Sequence, residues 1–352
     1  MMRSIEWIQE KGVVKAIDQS RLPGEFALIE FKQSDEIRTA IKTMIIRGAP
    51  IIGISAFYAM ALKARELEVE TLPGMKERLL QFASHLGLAR PTAVNLCWAV
   101  EASTQLIKSF SGNSLELSEA LLALANQKAD EDVATNLAIS RYGADLINDG
   151  DHIVHHCNTG ALASVDYGTA LGCIRMAHEQ GKRIHVYVDE TRPRLQGSRL
   201  TAWELEQYKI PYEIITDSSS GYLMRLGRVE KVFFGADRVA ANGDVVNKIG
   251  TYMLALSAYD NGIPAYAALP ISSFDFNCAT GESVTIEERS GAEILNLQQN
   301  GLPVAPENAK ALNYAFDVTP ARLIDALITE KGVLYPPFFR SISTLNNYGR
   351  TR

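Results

Sequence analysis

Beyond Asp149 the chain alternates short apolar strands with helical segments, and this alternation restricts its possible folds more than any other feature. The strand candidates are rich in β-branched residues, as expected of strands that are covered on both faces. They lie at residues 152–156, 183–188, 212–215, 231–234 and 265–268. Helical periodicity separates them, at residues 164–180, 200–208, 221–226 and 249–259. The pattern predicts an α/β fold built on a parallel, doubly wound sheet.

The first part of the chain predicts a different architecture. Strand-like alternation indicates a short antiparallel sheet at residues 4–8, 13–18 and 26–31. Helices are expected at residues 36–46, 51–65, 75–86 and 91–110. Residues 114–146 form a long stretch rich in Ala and Leu, which we expect to be helical and broken at least once. Near the other end, a last helix is predicted over residues 320–330, with Thr319 as its N-cap.

Composition and charge exclude several classes of protein. Apolar residues make up 47% of the 352 residues and charged residues 22%, which is typical of globular domains with a full core. The formal charge of −6 argues against nucleic acid or an anionic membrane as a general partner. The sequence contains no run of 18 apolar residues, no signal-peptide core and no C-x-x-C pair among its four cysteines. We therefore expect a reduced, cytoplasmic protein.

Polar and ionisable residues follow four of the predicted strands. In chain order they are Cys157, Asp189, Asp217 and Asp237. The carboxyl ends of parallel strands lie at one edge of the sheet, where open α/β sheets bind their ligands. A turn or a helix cap would explain any one of these residues, but the four together predict a ligand cleft. Cys157 is the only cysteine at such a strand end.

Three basic residues lie next to predicted helix starts. They are Lys248, which follows Asn247; Arg47, which is followed by Gly48 and Ala49; and Arg90. Each arginine stands before a helix whose first residue is a proline, Pro50 in one case and Pro91 in the other. A cation at the positive end of a helix is unfavourable unless an anion binds there. One such arrangement is often a surface turn, but three predict a clamp for phosphate.

The motifs of several common cofactors are missing from the sequence. It contains no G-x-G-x-x-G after a strand, no P-loop, no H-E-x-x-H and no G-x-S-x-G. His152, His155 and His156 are close in sequence, but strand alternation places them on opposite faces, so no shared metal ion is expected. What remains is a cofactor-free reaction on a phosphorylated small molecule.

Seven stretches carry a resemblance to a known family. They are RGAP (47–50), RPTAVNL (90–96), HCNTGALA (156–163), DETRPRLQGSRLTAWEL (189–205), GADRVAANGDVVNKIGTY (235–252), ATGESVTIEER (279–289) and FDVTPARLI (316–324). In these stretches the chain resembles the methylthioribose-1-phosphate isomerases of methionine salvage. The resemblance covers nearly the whole chain, in the order of the family.

The resemblance implies a fold, a site and an assembly. It implies a mostly helical N-terminal domain with a short antiparallel sheet, at residues 1–125, and a Rossmann-like catalytic domain, at residues 126–352. It also implies a homodimer that acts on a small sugar phosphate, without a cofactor or a metal ion. Cys157 and Asp237 are implied to be the catalytic pair. Substrate contacts are implied for Arg47, Gly48, Ala49, Arg90, Gln196, Asn247 and Lys248.

The reaction implied is an aldose–ketose isomerisation, from 5-methylthioribose 1-phosphate to 5-methylthioribulose 1-phosphate. Asp237 is expected to act as the general acid, and Cys157 as a base or as a stabiliser of the transition state. Residues 218–220 and the stretch after Pro337 depart from the family pattern. These departures leave the group at C5 of the sugar open.

Three other interpretations compete with this one. In the first, the protein is an isomerase whose substrate is 5-deoxyribose 1-phosphate or ribose 1,5-bisphosphate. From another class, the regulatory subunits of the guanine-nucleotide exchange factor of translation initiation share the fold and act as scaffolds. The presence of both Cys157 and Asp237 speaks against a non-catalytic scaffold. A generic nucleotide-binding protein is disfavoured because the glycine fingerprint is missing.

Overall fold

A computed structural model describes residues 3–90 and 93–345 of the chain. The chain divides into two compact units. The first consists of Met1–Thr135 together with Gly160–Gly168, and the second of Asn136–Thr159 together with Thr169–Arg352. In the described part of the chain, no helix is long and apolar enough to cross a membrane.

The first unit begins with a three-stranded antiparallel sheet, in which neighbouring strands are consecutive in sequence. Its strands are β1 (Ile5–Ile8), β2 (Val13–Ile17) and β3 (Leu28–Phe31). The helices that follow are α1 (Ser34–Lys42), α2 (Ala49–Glu66), α3 (Leu72–Gly87) and α4 (Val94–Ser109). The three predicted strands are confirmed, and so are the four helices, with boundaries that differ by a few residues. Pro91, the predicted first residue of the fourth helix, lies outside the described residues.

Helix α2 forms the centre of this unit. Thirteen of its residues are buried, and it packs against α1, α3 and α4. A helix that is apolar on every side must be surrounded by other elements, because it has no polar face to turn toward water. The start of α2, with Gly48 as N-cap and Ala49 as first residue, therefore belongs to a helix that is packed against other elements on several sides.

The long Ala- and Leu-rich stretch forms one continuous helix, α5 (Ser114–Ala144), so the predicted break is wrong. It contains no proline, and its one glycine, Gly143, stands next to its last residue. A Cβ atom at Gly143 would lie 2.1 Å from the Sγ atom of Cys173, so this glycine permits close packing and does not end the helix early. The predicted domain boundary at residue 126 falls inside α5 and stays a prediction.

The second unit contains the remaining strands and helices. The strands are β4 (His152–His155), β5 (His185–Asp189), β6 (Tyr212–Ile215), β7 (Lys231–Phe234), β8 (Arg238–Ala240), β9 (Val245–Lys248), β10 (Ala265–Ala268), β11 (Phe274–Asp275), β12 (Gln298–Gln299), β13 (Leu302–Pro303), β14 (Phe316–Thr319), β15 (Ala326–Thr329) and β16 (Gly332–Leu334). The helices are α6 (Ala170–Glu179), α7 (Ala202–Tyr208), α8 (Ser220–Arg225), α9 (Thr251–Asp260), α10 (Ala292–Leu295) and α11 (Phe338–Ser343).

Seven strands form the main sheet, in the order β16-β15-β10-β7-β4-β5-β6. All neighbouring pairs are parallel except β15 and β16. The predicted α/β class is confirmed, and the five predicted strands are all present. A second sheet, in the order β11-β8-β9-β14, follows the turn after β7.

Two predicted helices differ from the structure. The helix predicted over residues 320–330 is wrong: Thr319 ends β14, a 3₁₀ turn follows at Ala321–Leu323, and β15 is a strand. Every residue of β15 is buried, and it pairs in parallel with β10. A short apolar run fits a buried strand or a helix equally well, and only the sheet decides between them. The helix predicted at residues 164–180 begins at Ala170, because the residues before Thr169 belong to the first unit.

Candidate active site

The strand order of the main sheet reverses between β4 and β7. From β4 the chain proceeds outward through β5 and β6, and from β7 it proceeds in the opposite direction through β10 and β15. Doubly wound sheets bind ligands beyond the carboxyl ends of the strands at such a reversal. Cys157 comes two residues after the end of β4, and Asp237 comes three residues after the end of β7. The two residues of the predicted catalytic pair therefore follow the carboxyl ends of two neighbouring parallel strands.

Cys157 lies in a tightly held turn. It is buried, and its φ of 69° lies in the left-handed region, which costs a residue other than glycine about 1 kcal/mol or more. Its backbone N–H donates to the Oγ1 atom of Thr191 at 2.9 Å, and its carbonyl accepts from the Oγ1 atom of Thr201 at 2.7 Å. The fold maintains this backbone conformation, which fixes the direction of the thiol.

Gln196, a predicted substrate contact, is hydrogen-bonded to Cys157. Its Nε2 atom donates to the Cys157 Sγ atom over 3.4 Å, and its side chain is buried. The segment that carries it continues as one turn of π-helix at Gly197–Thr201. A Cβ atom at Gly197 would lie 1.8 Å from the carbonyl oxygen of Asp189, so only glycine allows the segment to pass this close to the end of β5.

Asp237 lies between β7 and β8. All four residues of β7 are buried, whereas Asp237 is half-buried. Its backbone N–H donates to the carbonyl of Val246 in β9 at 2.9 Å. Gly235 is also required to be small, since a Cβ atom there would lie 2.8 Å from the Cγ2 atom of Thr159. The backbone of Asp237 is thus fixed just beyond the end of a buried strand.

Asn247 and Lys248 do not open a helix, so that prediction is wrong. Both lie at the end of β9, and α9 begins at Thr251 after Gly250. The Lys248 Nζ atom donates to the carbonyl of Ala315 at 2.6 Å and lies 4.3 Å from the centre of the Phe316 ring. The tertiary pairing of β9 with β14 overrides the helical pattern.

The other predicted substrate contacts lie in the first unit. Helix α2 begins at Ala49 with Gly48 as its N-cap, so Arg47 stands immediately before a helix start, as predicted. Gly48 has a φ of 116°, and a Cβ atom there would lie 2.6 Å from the Cα atom of Ala163. Arg90 stands just before the two residues outside the described part of the chain. Amide groups in the first turn of α2 have no partner within the helix and suit an anion.

His156 is a site residue whose role the sequence interpretation missed. Its Nδ1 atom lies 2.8 Å from the Oδ2 atom of Asp189, and its Nε2 atom lies 3.0 Å from the carbonyl oxygen of Ile249. Burial lowers the pKa of His156, but the hydrogen bond to Asp189 and its charge outweigh burial and raise the pKa to about 9. The signal was present in the strand register: His155 pairs with Val188, so the next residues on both strands, His156 and Asp189, are neighbours.

Comparison with known proteins identifies the family to which the chain belongs. The profile of the initiation factor 2 subunit family matches residues 45–336. The methylthioribose-1-phosphate isomerase of Thermosipho melanesiensis is 48% identical over 342 residues, which cover 97% of each chain. The chain belongs to the methylthioribose-1-phosphate isomerases of this family.

Solved structures in the family have closely similar folds. The 5-methylthioribose 1-phosphate isomerase of Pyrococcus horikoshii OT3 is similar with a TM-score of 0.93 and 38% identity, covering 99% of this chain and 96% of that one. A structure described as translation initiation factor eIF-2B, subunit delta, from A. fulgidus gives a TM-score of 0.86 and 43% identity, covering 96% and 97%. As a member of the isomerase family, the protein is an enzyme.

One cluster near Cys157 resembles a metal site. His156, Asp189 and Asp217 offer ligand atoms within 4.8 Å of one another. These atoms are engaged in hydrogen bonds, because Asp217 accepts from the backbone N–H groups of Thr191 and Arg192 at 2.7 and 2.8 Å. Asp189 is hydrogen-bonded to His156 and accepts from the Ser220 hydroxyl. These hydrogen bonds account for the way in which the three side chains are held together.

Proposed function

We propose that the protein converts 5-methylthioribose 1-phosphate to 5-methylthioribulose 1-phosphate, the aldose–ketose isomerisation of methionine salvage. The observation that carries the proposal is the placement of Cys157 and Asp237 at the strand reversal between β4 and β7. The names of the relatives support the same substrate. A homodimer and a cytoplasmic location remain predictions.

The first chemical task is to open the sugar ring. The phosphate occupies the anomeric oxygen, so the ring oxygen must be protonated as its bond to C1 breaks. We assign this proton to Asp237. A carboxyl group can donate near neutral pH only if its surroundings disfavour the charged form.

The second task is to move hydrogen from C2 to C1. In one route Cys157 removes the C2 proton and an enol phosphate forms; a proton that can exchange with solvent is then delivered to C1, and the C2 hydroxyl loses its proton to the Asp237 carboxylate. In the other route hydride passes directly from C2 to C1 while the C2 hydroxyl gives its proton to the Asp237 carboxylate, and Cys157 stabilises the transition state. The Gln196 amide, which donates to the sulfur, would orient it in either case.

Phosphate binding is assigned to the basic residues and to the start of α2. Arg47 and Arg90 provide positive charge. The backbone N–H groups at the start of α2, where Gly48 is the N-cap and Ala49 the first residue, provide hydrogen bonds. In the second unit, Asn247 and Lys248 at the end of β9 are assigned to the substrate, as the family resemblance implies.

The decisive experiment is a turnover assay with three sugars side by side. We expect 5-methylthioribose 1-phosphate to be preferred over 5-deoxyribose 1-phosphate and ribose 1,5-bisphosphate. Turnover in deuterated water then separates the two routes: solvent deuterium at C1 supports the enol phosphate, and its absence supports the hydride shift. Preference for either of the other sugars would overturn the substrate assignment while preserving the reaction.

A second candidate function is a non-catalytic scaffold of translation initiation. It is favoured by the 43% identity to the structure described as an initiation factor subunit. The same assay tests it, because a scaffold would turn over none of the three sugars. Cys157 and Asp237 at the strand reversal favour the enzyme.

A further inference from the structure

We propose that His156 is the positioning residue of the second unit: its doubly protonated ring joins the Cys157 turn to the turn that follows Lys248. The inference rests on the proposed function, since it concerns the same Cys157 and Lys248. His156 itself is not assigned a contact with the substrate. It is fully buried and would act through the groups on either side of it.

The hydrogen bonds of the ring require two protons. Asp189 faces Nδ1 with a carboxylate oxygen, and Ile249 faces Nε2 with a carbonyl oxygen, at 2.8 and 3.0 Å. A carboxylate and a carbonyl can only accept, and a neutral imidazole has only one N–H to donate. While Asp189 is ionised, both bonds exist together only when the ring is an imidazolium. The pKa of about 9 agrees with this geometric argument.

The charged groups around the ring also favour the proton. Asp189 and Asp217 lie within reach of it, and negative charge on the Cys157 sulfur acts in the same direction. On the other side, Asp317 binds the backbone N–H of Gly250 at 2.7 Å and acts electrostatically with both His156 and Lys248. His155 adds no competing charge, because burial and the charge of His156 lower its pKa to about 3.

The ring connects two turns that are far apart in sequence. Cys157 is the next residue after His156, and Ile249 is the next residue after Lys248. Gly250 has a φ of 104°, and a Cβ atom there would lie 2.9 Å from the Cε1 atom of the ring. The turn therefore packs directly against the imidazolium as well as binding it. Loss of the proton would release one of the two bonds and loosen one turn relative to the other.

The first test measures the proton without any substrate. Nitrogen-15 NMR of the histidine side chains in the full-length protein should show two protonated ring nitrogens for His156 at pH 7.5, and their loss only near pH 9. His156→Asn assigns the signals. A neutral His156 ring at pH 7.5 would overturn the proposal. This outcome does not depend on whether the protein isomerises sugar phosphates.

The second test measures the position of the Cys157 turn, again without substrate. The rate at which iodoacetamide alkylates Cys157, measured by peptide mass spectrometry, should differ by about fivefold or more between His156→Asn and the wild type. Exposed Cys97 serves as the internal reference. His85→Asn is the matched control, because His85 is an exposed histidine of the first unit. Equal alkylation of Cys157 in the wild type and in His156→Asn would overturn the positioning role.

The third test uses kinetics and distinguishes positioning from general structural support. Misplacement of reacting groups by about 1 Å can cost on the order of 100-fold in rate, so kcat should fall far more than KM changes in His156→Asn. Asp189→Asn, which changes one carboxylate to an amide, should move the alkaline loss of kcat to lower pH, and it substitutes for His156→Asn if that variant does not fold. An unchanged alkaline limb in Asp189→Asn would contradict the proposal. If the wild type turns over no sugar phosphate, the proposed function fails, and the NMR and alkylation results decide the role of His156 separately.

Discussion

The two strand ends at the reversal of the sheet are built by different means. After β4, the backbone of Cys157 is held by side chains from other segments, the hydroxyl groups of Thr191 and Thr201. After β7, the backbone of Asp237 is held by the backbone of Val246 in β9. The Cys157 end therefore depends on individual side chains and on the charge of His156, whereas the Asp237 end depends on the pairing of a sheet. Two neighbouring strands of the sheet thus hold the backbone beyond their ends in two different ways.

The largest expected effect is chemical and should be the same at both ends. A general acid contributes roughly 100- to 10,000-fold to a rate, so Asp237→Asn should lose that much kcat, with KM within a few-fold of the wild type. Cys157→Ser should lose a similar factor. Steady-state kinetics with 5-methylthioribose 1-phosphate measure both, with circular dichroism as the check on folding. If either variant retained more than a tenth of the wild-type kcat, that residue would not be one of the catalytic pair.

A glycine at the Cys157 end should have the largest structural effect. Gly197→Ala places a Cβ atom 1.8 Å from the carbonyl oxygen of Asp189, which is backbone and cannot rotate away. We expect a loss of about 3 kcal/mol or more in the free energy of unfolding, measured by urea titration. Gly87→Ala is the matched control, since nothing lies within 4 Å of a Cβ atom there, and it should be neutral or slightly stabilising. Similar losses in the two variants would refute the close approach.

The free energy of unfolding should depend on pH through His156, which precedes Cys157. The pKa of His156 is about 9 in the folded protein, above the ordinary 6.5, so its contribution is complete below pH 6.5 and is lost as the pH rises through 9. A shift of this size corresponds to about 3 kcal/mol. Urea titrations at pH 6 and pH 9.5 should show this difference in the wild type and a much smaller one in His156→Asn. Parallel profiles for the two proteins would exclude the buried imidazolium.

The smallest effect tests the side-chain construction of the Cys157 turn. Thr201→Val removes the hydroxyl that donates to the Cys157 carbonyl at 2.7 Å and accepts from the Nδ2 atom of Asn158 at 3.2 Å. A buried acceptor left without its donor costs about 1–3 kcal/mol, again measurable by urea titration. Thr201→Ser keeps the hydroxyl and should recover most of the loss. If Val and Ser were equivalent at this position, the turn would be held by backbone alone, as at the Asp237 end.

Much of the fold was predictable because local residues decide it. The strands β4, β5, β6, β7 and β10 follow from short apolar segments between helical ones, and the alternation itself indicates a parallel sheet. The prediction failed where a local pattern has two solutions. Residues 326–328 are apolar, and their pattern predicts part of a helix, but residues 326–329 form β15 because β10 lies beside them. Residues 247–248 form the end of β9 because β14, far along the chain, pairs with it.

The same division applies to the candidate site. Cys157, Asp237 and the residues before α2 could be singled out from their positions after strands and before helices. The bonds that orient them could not, because Thr191, Gln196 and Thr201 reach Cys157 from a segment more than thirty residues away. The sequence by itself determined five strands of the main sheet and the residues that follow them, because short apolar segments between helical ones specify such strands locally. Only the tertiary structure decided that His156 lies between two acceptors, since both of them come from distant segments.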